Sequence, residues 1–219
     1  MKNTLTGRFA AYAFALVSFF VLALPAQAQL AAGSDYAEIN PVMATDNPAK
    51  IEVIEFFSYA CPHCNDFAPT LKKWAAKVPA DVEFKRIPVG FNNPFYQLMA
   101  KLYYALEAIG ELDRLDGAVF NAIHGKGLKL IDDKSIQDWV TSQGVDAKKF
   151  SDAFNSFGVV SKAKRADSLA QSAKIRGVPA LVVDGRYLVV GQNIKNHDDM
   201  LVLTDKVIDK ARNERAKKK

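Results

Sequence analysis

The order of patterns along the 219 residues predicts an α/β fold with an all-helical block inserted between a strand–helix–strand unit and a strand–strand–helix unit. Three observations predict it. A β-branched, aromatic run at residues 51–57 leads into a helix-compatible pattern and then a second strand-like run at 82–89. From about 92 to 174, apolar residues recur at helical spacing with no β pattern between them. Beyond residue 176, two short β runs flank Asp184-Gly185, a strong hairpin-turn pair, ahead of an amphipathic helix.

The chain opens with a segment that reads as a removed signal peptide, residues 1–28. Lys2 and Arg8 give a positive start, residues 9–24 are almost wholly apolar, and Ala26 and Ala28 supply the small residues of a secretory cleavage site. The competing reading is a membrane anchor. An apolar run of about sixteen residues is shorter than the roughly twenty needed to span a bilayer. Residues 29–219 are then one exported domain, large enough to bury a full core without disulfide staples.

The basic balance is misleading about partners. The first 28 residues hold two positive charges and the last nine a net four, so the formal +5 leaves residues 29–210 at about −1. That is no footprint for nucleic acid. Arg212, Arg215, Lys217, Lys218 and Lys219 read as a frayed, solvated helix end, where cations complement the helix dipole.

Taken in order, residues 35–39 suggest a short edge strand. Ile51–Phe57 suggests a central strand, because both of its faces are largely apolar. Glu55 interrupts one face, between Val53 and Phe57. Phe67, Leu71 and Trp74 mark the first helix, with Pro69 inside it, and a parallel strand at 82–89 completes a βαβ unit. In the block, helices are expected from Pro94 to Gly110, along Leu112, Leu115, Val119 and Ile123, from an Asp133 cap, from an Asp146 cap, and over 159–174. The stripe Phe150, Phe154, Phe157 is assigned to the core of this block. Phe91, Pro94 and Phe95 either line an apolar groove or pack inside. A last helix begins at Asp198 or Asp199.

The chemistry centres on Cys61-Pro62-His63-Cys64, the only two cysteines, at the junction of strand and helix. A thiolate on Cys61 at a helix N-terminus meets unpaired backbone N–H groups and the positive end of the dipole. Protonated His63 adds a positive charge beside it. Stabilising the thiolate stabilises the reduced pair and makes the disulfide a stronger oxidant. Three plainer readings compete. A structural staple closing so short a loop contributes only about 2 kcal/mol. A zinc site lacks its other half, since His63, His124 and His197 are widely spaced. Two inert buried thiols are the third. His124 and His197 themselves read as a helix-end residue and an N-cap-region residue.

The run Glu55-Phe56-Phe57-Ser58-Tyr59-Ala60-Cys61-Pro62-His63-Cys64, with Gly177-Val178-Pro179-Ala180 far downstream, resembles the DsbA family of bacterial thiol:disulfide oxidoreductases. The resemblance covers residues 29–219 and implies a thioredoxin-like fold with a helical insertion. A strongly oxidising pair with a low-pKa thiolate is a property of that family, not a consequence of the spacing. The resemblance further implies that Cys61 is the exposed nucleophile, Cys64 its buried partner, and Pro62 and His63 their tuning residues. Val178-Pro179 becomes a cis-proline loop facing the cysteines and binding substrate backbone. Glu55 becomes a buried acid assisting proton movement at Cys64; the competing reading is a solvated strand carboxylate. A buried carboxylate calls for a cationic partner. Arg86 shares the alternation of Val82 and Phe84 and is the first candidate, Lys85 the second.

The function implied is a monomeric periplasmic oxidase. It donates the Cys61–Cys64 disulfide to reduced, unfolded exported polypeptides through a mixed disulfide at Cys61. A quinone-linked membrane reoxidase of the DsbB type regenerates it. No metal, no other cofactor and no nucleic acid are expected. The alternatives are a reductase or isomerase on the same site, or a non-catalytic metal-binding protein or chaperone. Residues 29–50 leave no room for the dimerisation domain usual in isomerases.

Overall fold

The computed structural model describes residues 30–191 and 194–217. The expected signal peptide, residues 1–28, lies outside the described residues, as do Lys218 and Lys219. Five strands form one sheet in the order β1-β5-β4-β2-β3: β1 Tyr36–Glu38, β2 Ile51–Phe57, β3 Val82–Pro88, β4 Ala180–Val183 and β5 Tyr187–Val189. β2 is central and buried along its whole length, as its two apolar faces require. It pairs in parallel with β3 and antiparallel with β4. The parallel register sets Glu55 directly beside Arg86.

Helix α1 (Pro62–Ala75) joins β2 to β3 and continues through Pro69. With the last helix, α7 (His197–Ala216), it covers one sheet face over Val53, Phe67, Leu71, Leu181 and Val207. The other face is covered by five helices lying between β3 and β4: α2 Pro94–Ala108, α3 Leu112–Phe120, α4 Asp133–Ser142, α5 Ala147–Phe154 and α6 Phe157–Ser172. A single π-turn, Asn121–Gly125, extends α3.

Several local expectations need correction. Asp132, not Asp133, caps α4. Its extended backbone lets the side chain accept from Ser135 N, and Ser135 Oγ reciprocates in a capping box. Phe157 is not core: it is 87% exposed, because the Ser156 cap starts α6 there and ends the helical period of α5. Phe150 and Phe154 are buried as expected. The basic C-terminal turn is not simply solvated. Arg212 binds Asp81, and Arg215 binds buried Asp184 and the Pro48 carbonyl. α7 is capped by Asn196, one residue before His197, so it starts earlier than either aspartate.

Candidate active site

The end of β2 delivers the chain into the site. Phe57 closes the strand, and Cys61 N donates to the Ser58 carbonyl at 3.1 Å, turning the backbone into α1. Cys61 is the N-cap residue, with an extended backbone, and Pro62 occupies the first helical position, where its missing N–H costs nothing. Cys64 falls one turn later and is fully buried, while Pro62 and His63 are exposed. Both cysteines are thiols in this structure.

The expected exposure of Cys61 is corrected. It is less enclosed than Cys64, but only 5% of its surface remains open. The Val178-Pro179 segment faces it from 117 residues away in sequence: the peptide bond is cis, and the Val178 carbonyl lies 3.3 Å from the Cys61 sulfur.

The Cys61 thiol is pulled down to about 6. The largest cause is the hydrogen bond it accepts from the Cys64 thiol, which outweighs the opposing effect of burial. The backbone N–H groups of Cys64 and His63 at the helix start, and the charge of His63, pull the same way. Cys64 moves upward, because it is the donor in that bond and because it is buried. The two sulfurs are therefore separated in proton affinity by one shared proton and by the helix end.

Glu55 is fully buried, which removes the solvated reading, and Arg86 is its partner: Nε donates to Oε2 at 2.6 Å. Lys85, the second candidate, projects elsewhere, to Glu52 and Asp46. Burial pushes the Glu55 carboxyl up to about 7, against the pull of Arg86, and the charges of Asp116 and Cys61 add to the rise. Burial works against the charge on Arg86, but Glu55 and Asp116 more than offset it.

Three contributors escaped the sequence reading. Asp116 on α3 accepts from Arg86 Nη1 at 2.8 and 2.9 Å and from the Tyr59 hydroxyl at 2.7 Å. Tyr59 is itself fully buried, edge-on to Phe120 at 4.9 Å. His124, in the π-turn, binds the Tyr59 carbonyl at 2.8 Å through Nε2. A carbonyl only accepts, so that nitrogen carries the hydrogen. Asp116 did leave a signal: it sits one turn from both Leu112 and Phe120, on the apolar side of an amphipathic helix. His197 packs its ring against Phe67, away from this cluster. Phe91 and Phe95 both pack against the core, and the surface groove that Pro94 and Phe95 line with Leu98 and Ile131 includes no residue of the cysteine site.

A family model described as DSBA-like thioredoxin domain matches residues 52–201. The chain belongs to the DSBA-like thioredoxin domain family. Within that DSBA-like family, the thiol:disulfide interchange protein DsbA of Bordetella parapertussis is 43% identical over 187 residues, covering 85% of this chain and 87% of that protein. Its counterpart in Pseudomonas aeruginosa PAO1 is 35% identical over 198 residues, covering 90% and 93%. The crystal structure of Pseudomonas aeruginosa DsbA superposes with a TM-score of 0.80 at 36% identity, over 87% of this chain and 97% of that one. A DsbA from Xylella fastidiosa gives 0.77 at 32% identity, over 84% and 98%. The thioredoxin-like DSBA architecture with its helical insertion is thus the fold of this chain.

Proposed function

We propose that this DSBA-family protein is a dithiol oxidase that donates a Cys61–Cys64 disulfide to reduced, unfolded polypeptides. The observation that carries the reading is the placement of Cys61 at the N-cap of α1 beside Cys64, where the Cys64 thiol and the N–H groups of the helix start favour its thiolate. A well-stabilised reduced form makes the disulfide an oxidant.

The exchange runs in two displacements. A substrate thiolate attacks the Cys61 sulfur, forming the mixed disulfide and expelling Cys64 as a thiolate. Buried Cys64 holds a proton tightly, so Glu55, poised near neutrality, supplies one through the polar interior beneath the site. A second substrate thiolate then attacks the substrate sulfur of the mixed disulfide and releases Cys61 as its stable thiolate. The substrate leaves oxidised by two electrons and the protein keeps them as a dithiol. Val178 and Pro179 hold the substrate backbone beside Cys61, and Pro62 and His63 tune the pair. The protein acts as a monomer in the periplasm after removal of residues 1–28, and a quinone-linked, DsbB-type membrane partner reoxidises it.

The test is oxidation of a reduced, disulfide-containing protein by purified, oxidised residues 29–219. Substrate thiols should disappear in proportion to enzyme disulfide, and Cys61→Ser should abolish the transfer. A Cys61→Ser variant that still transfers oxidation would overturn the assignment of the nucleophile. Equilibration with glutathione fixes the direction: a pair that stays oxidised where most dithiols are oxidised would make the protein a reductase.

A further inference from the structure

Beneath the cysteines runs a line of polar groups that the exchange steps above use only at one end. Glu55 on β2 meets Arg86 on β3, Arg86 meets Asp116 on α3, and Asp116 meets the Tyr59 hydroxyl, two residues before Cys61. The two ends differ in setting. Glu55 is fully buried, whereas Asp116 keeps 26% of its side chain open. It opens into a groove of about 730 Å³ between α1 and α3, lined by Ala68, Lys72, Phe120 and His124 with Arg86 in its wall. Arg86 cannot swing away to serve one carboxylate alone: its guanidinium is stacked 3.8 Å from the Phe57 ring centroid. One fixed cation is therefore divided between two carboxylates.

The division is incomplete at the buried end. Glu55 Oε1 and Arg86 Nη2 are both buried and find no hydrogen-bond partner among the described residues. A fork-to-fork pair would have joined a second N–H to the second oxygen. Instead Nη1 turns both Asp116 oxygens to itself, and Glu55 is left with the single Nε bond. Whatever strengthens the Asp116 hold on Arg86 weakens the support for a charged Glu55.

We propose that Asp116, on the helical insertion, is a positioning residue for disulfide exchange: by competing with Glu55 for Arg86 it sets how readily Glu55 gives its proton to the departing Cys64 sulfur. Tyr59 moderates that competition by donating to Asp116. The inference rests on the proton-donor reading of Glu55. The charged and titratable groups facing Glu55 are Arg86 from β3, Asp116 from α3, Cys61 and Cys64 from the start of α1, and Tyr103 from α2. Its neighbour on β4, Leu181, is apolar. Tyr103 also lines the groove, but among these groups only Asp116 both lines it and hydrogen-bonds Arg86. The insertion thereby acts on the chemistry of the cysteines through Arg86 and Glu55.

The experiment is stopped-flow reduction of the oxidised protein by a reduced cysteine-containing peptide from pH 5 to 9, corrected for the thiolate fraction of the peptide. Asp116→Asn keeps an acceptor for Tyr59 and Arg86 but removes the charge. With that charge gone, the fixed Arg86 cation is opposed by Glu55 alone, so the Glu55 transition in the rate profile should move down by about one pH unit, a tenfold change in proton affinity. Tyr59→Phe should move it the opposite way, up by about half a unit or threefold, because an unmoderated Asp116 holds Arg86 harder. A merely structural role predicts a uniform loss of rate with no movement of the transition, and that result for Asp116→Asn overturns the proposal. Should Asp116→Asn fail to fold, Tyr59→Phe decides alone, and an absent or downward shift overturns it. Glu55→Gln separates the two claims. If it removes the transition while Asp116→Asn leaves it in place, only the role of Asp116 fails. If Glu55→Gln itself leaves the transition intact, the proton-donor reading falls and takes this inference with it.

Discussion

Strand β2 carries two buried glutamates three residues apart, and each belongs to a carboxylate–cation–carboxylate set. Glu52 pairs with Lys85, which also binds Asp46 at 2.5 Å; Glu55 pairs with Arg86, which also binds Asp116. The ingredients match but the settings do not. Asp46 is largely exposed, Lys85 is a flexible point charge at the sheet edge, and Glu52 also accepts from Asp46 N at 3.2 Å. In the Glu55 set the cation is a rigid fork stacked on Phe57, and two polar atoms stay unsatisfied. The first set ties the approach loop to the sheet. The second holds an acid near neutrality beneath a pair of sulfurs. Burial and the shape of the cation, rather than the residue inventory, separate a clasp from a carboxyl held near neutrality.

The largest expected effect comes from removing each cation. Arg86→Met strands Glu55 in the interior and should cost about 3–5 kcal/mol at pH 8, and less at pH 5, where the carboxyl takes a proton. Lys85→Met leaves Glu52 its backbone donor and should cost about 1–2 kcal/mol. Urea midpoints at the two pH values check this, and equal losses would break the comparison.

A smaller effect follows from Glu55 itself. Its carboxyl is pushed up to about 7 from 4.5, so the native state binds its proton more tightly than the unfolded chain. Stability should therefore fall as pH rises from 4.5 to 7, by about 3 kcal/mol, and stay level above. Glu55→Gln should flatten that fall in unfolding curves recorded from pH 4 to 8.

The smallest effect concerns the sulfurs. Cys61 is lowered to about 6 from 9, so its contribution to the reduced protein is complete above 9 and lost as pH falls through 6. At pH 7 about 1.4 kcal/mol remains, or about 30 mV in the potential of the pair. Because the Cys64 hydrogen bond is the first cause and the His63 charge the last, Cys64→Ala should raise the thiolate midpoint more than His63→Ala. Thiolate absorbance against pH measures both.

Arg86 was legible as the partner of Glu55 because alternation along an in-register parallel pair fixes which side chains share a face. The cysteine pair at a strand-to-helix junction was legible because it is local in sequence. Asp116 was not, since no strand register ties it to Arg86 and its bond depends on how the insertion folds back over the sheet edge. The exposure of Cys61 was misjudged on the same ground, because its cover arrives from Val178. Phe157 was misplaced because a stripe read across Asn155 and Ser156 ignores that a new cap resets the helical phase.

The distance between Cys61 and Val178 also bears on synthesis. A chain made from its N-terminus presents Cys61 and Cys64 long before the segment that faces them, since Val178 follows Cys61 by 117 residues. At about 5–20 residues per second that gap is roughly 6 to 23 s. Through that interval β2 lacks its β4 neighbour and the helical insertion is still emerging, so the nascent cysteines lie in a segment without its final cover. The cover over the pair is thus acquired late, when the last fifth of the chain closes over a motif laid down in the first third.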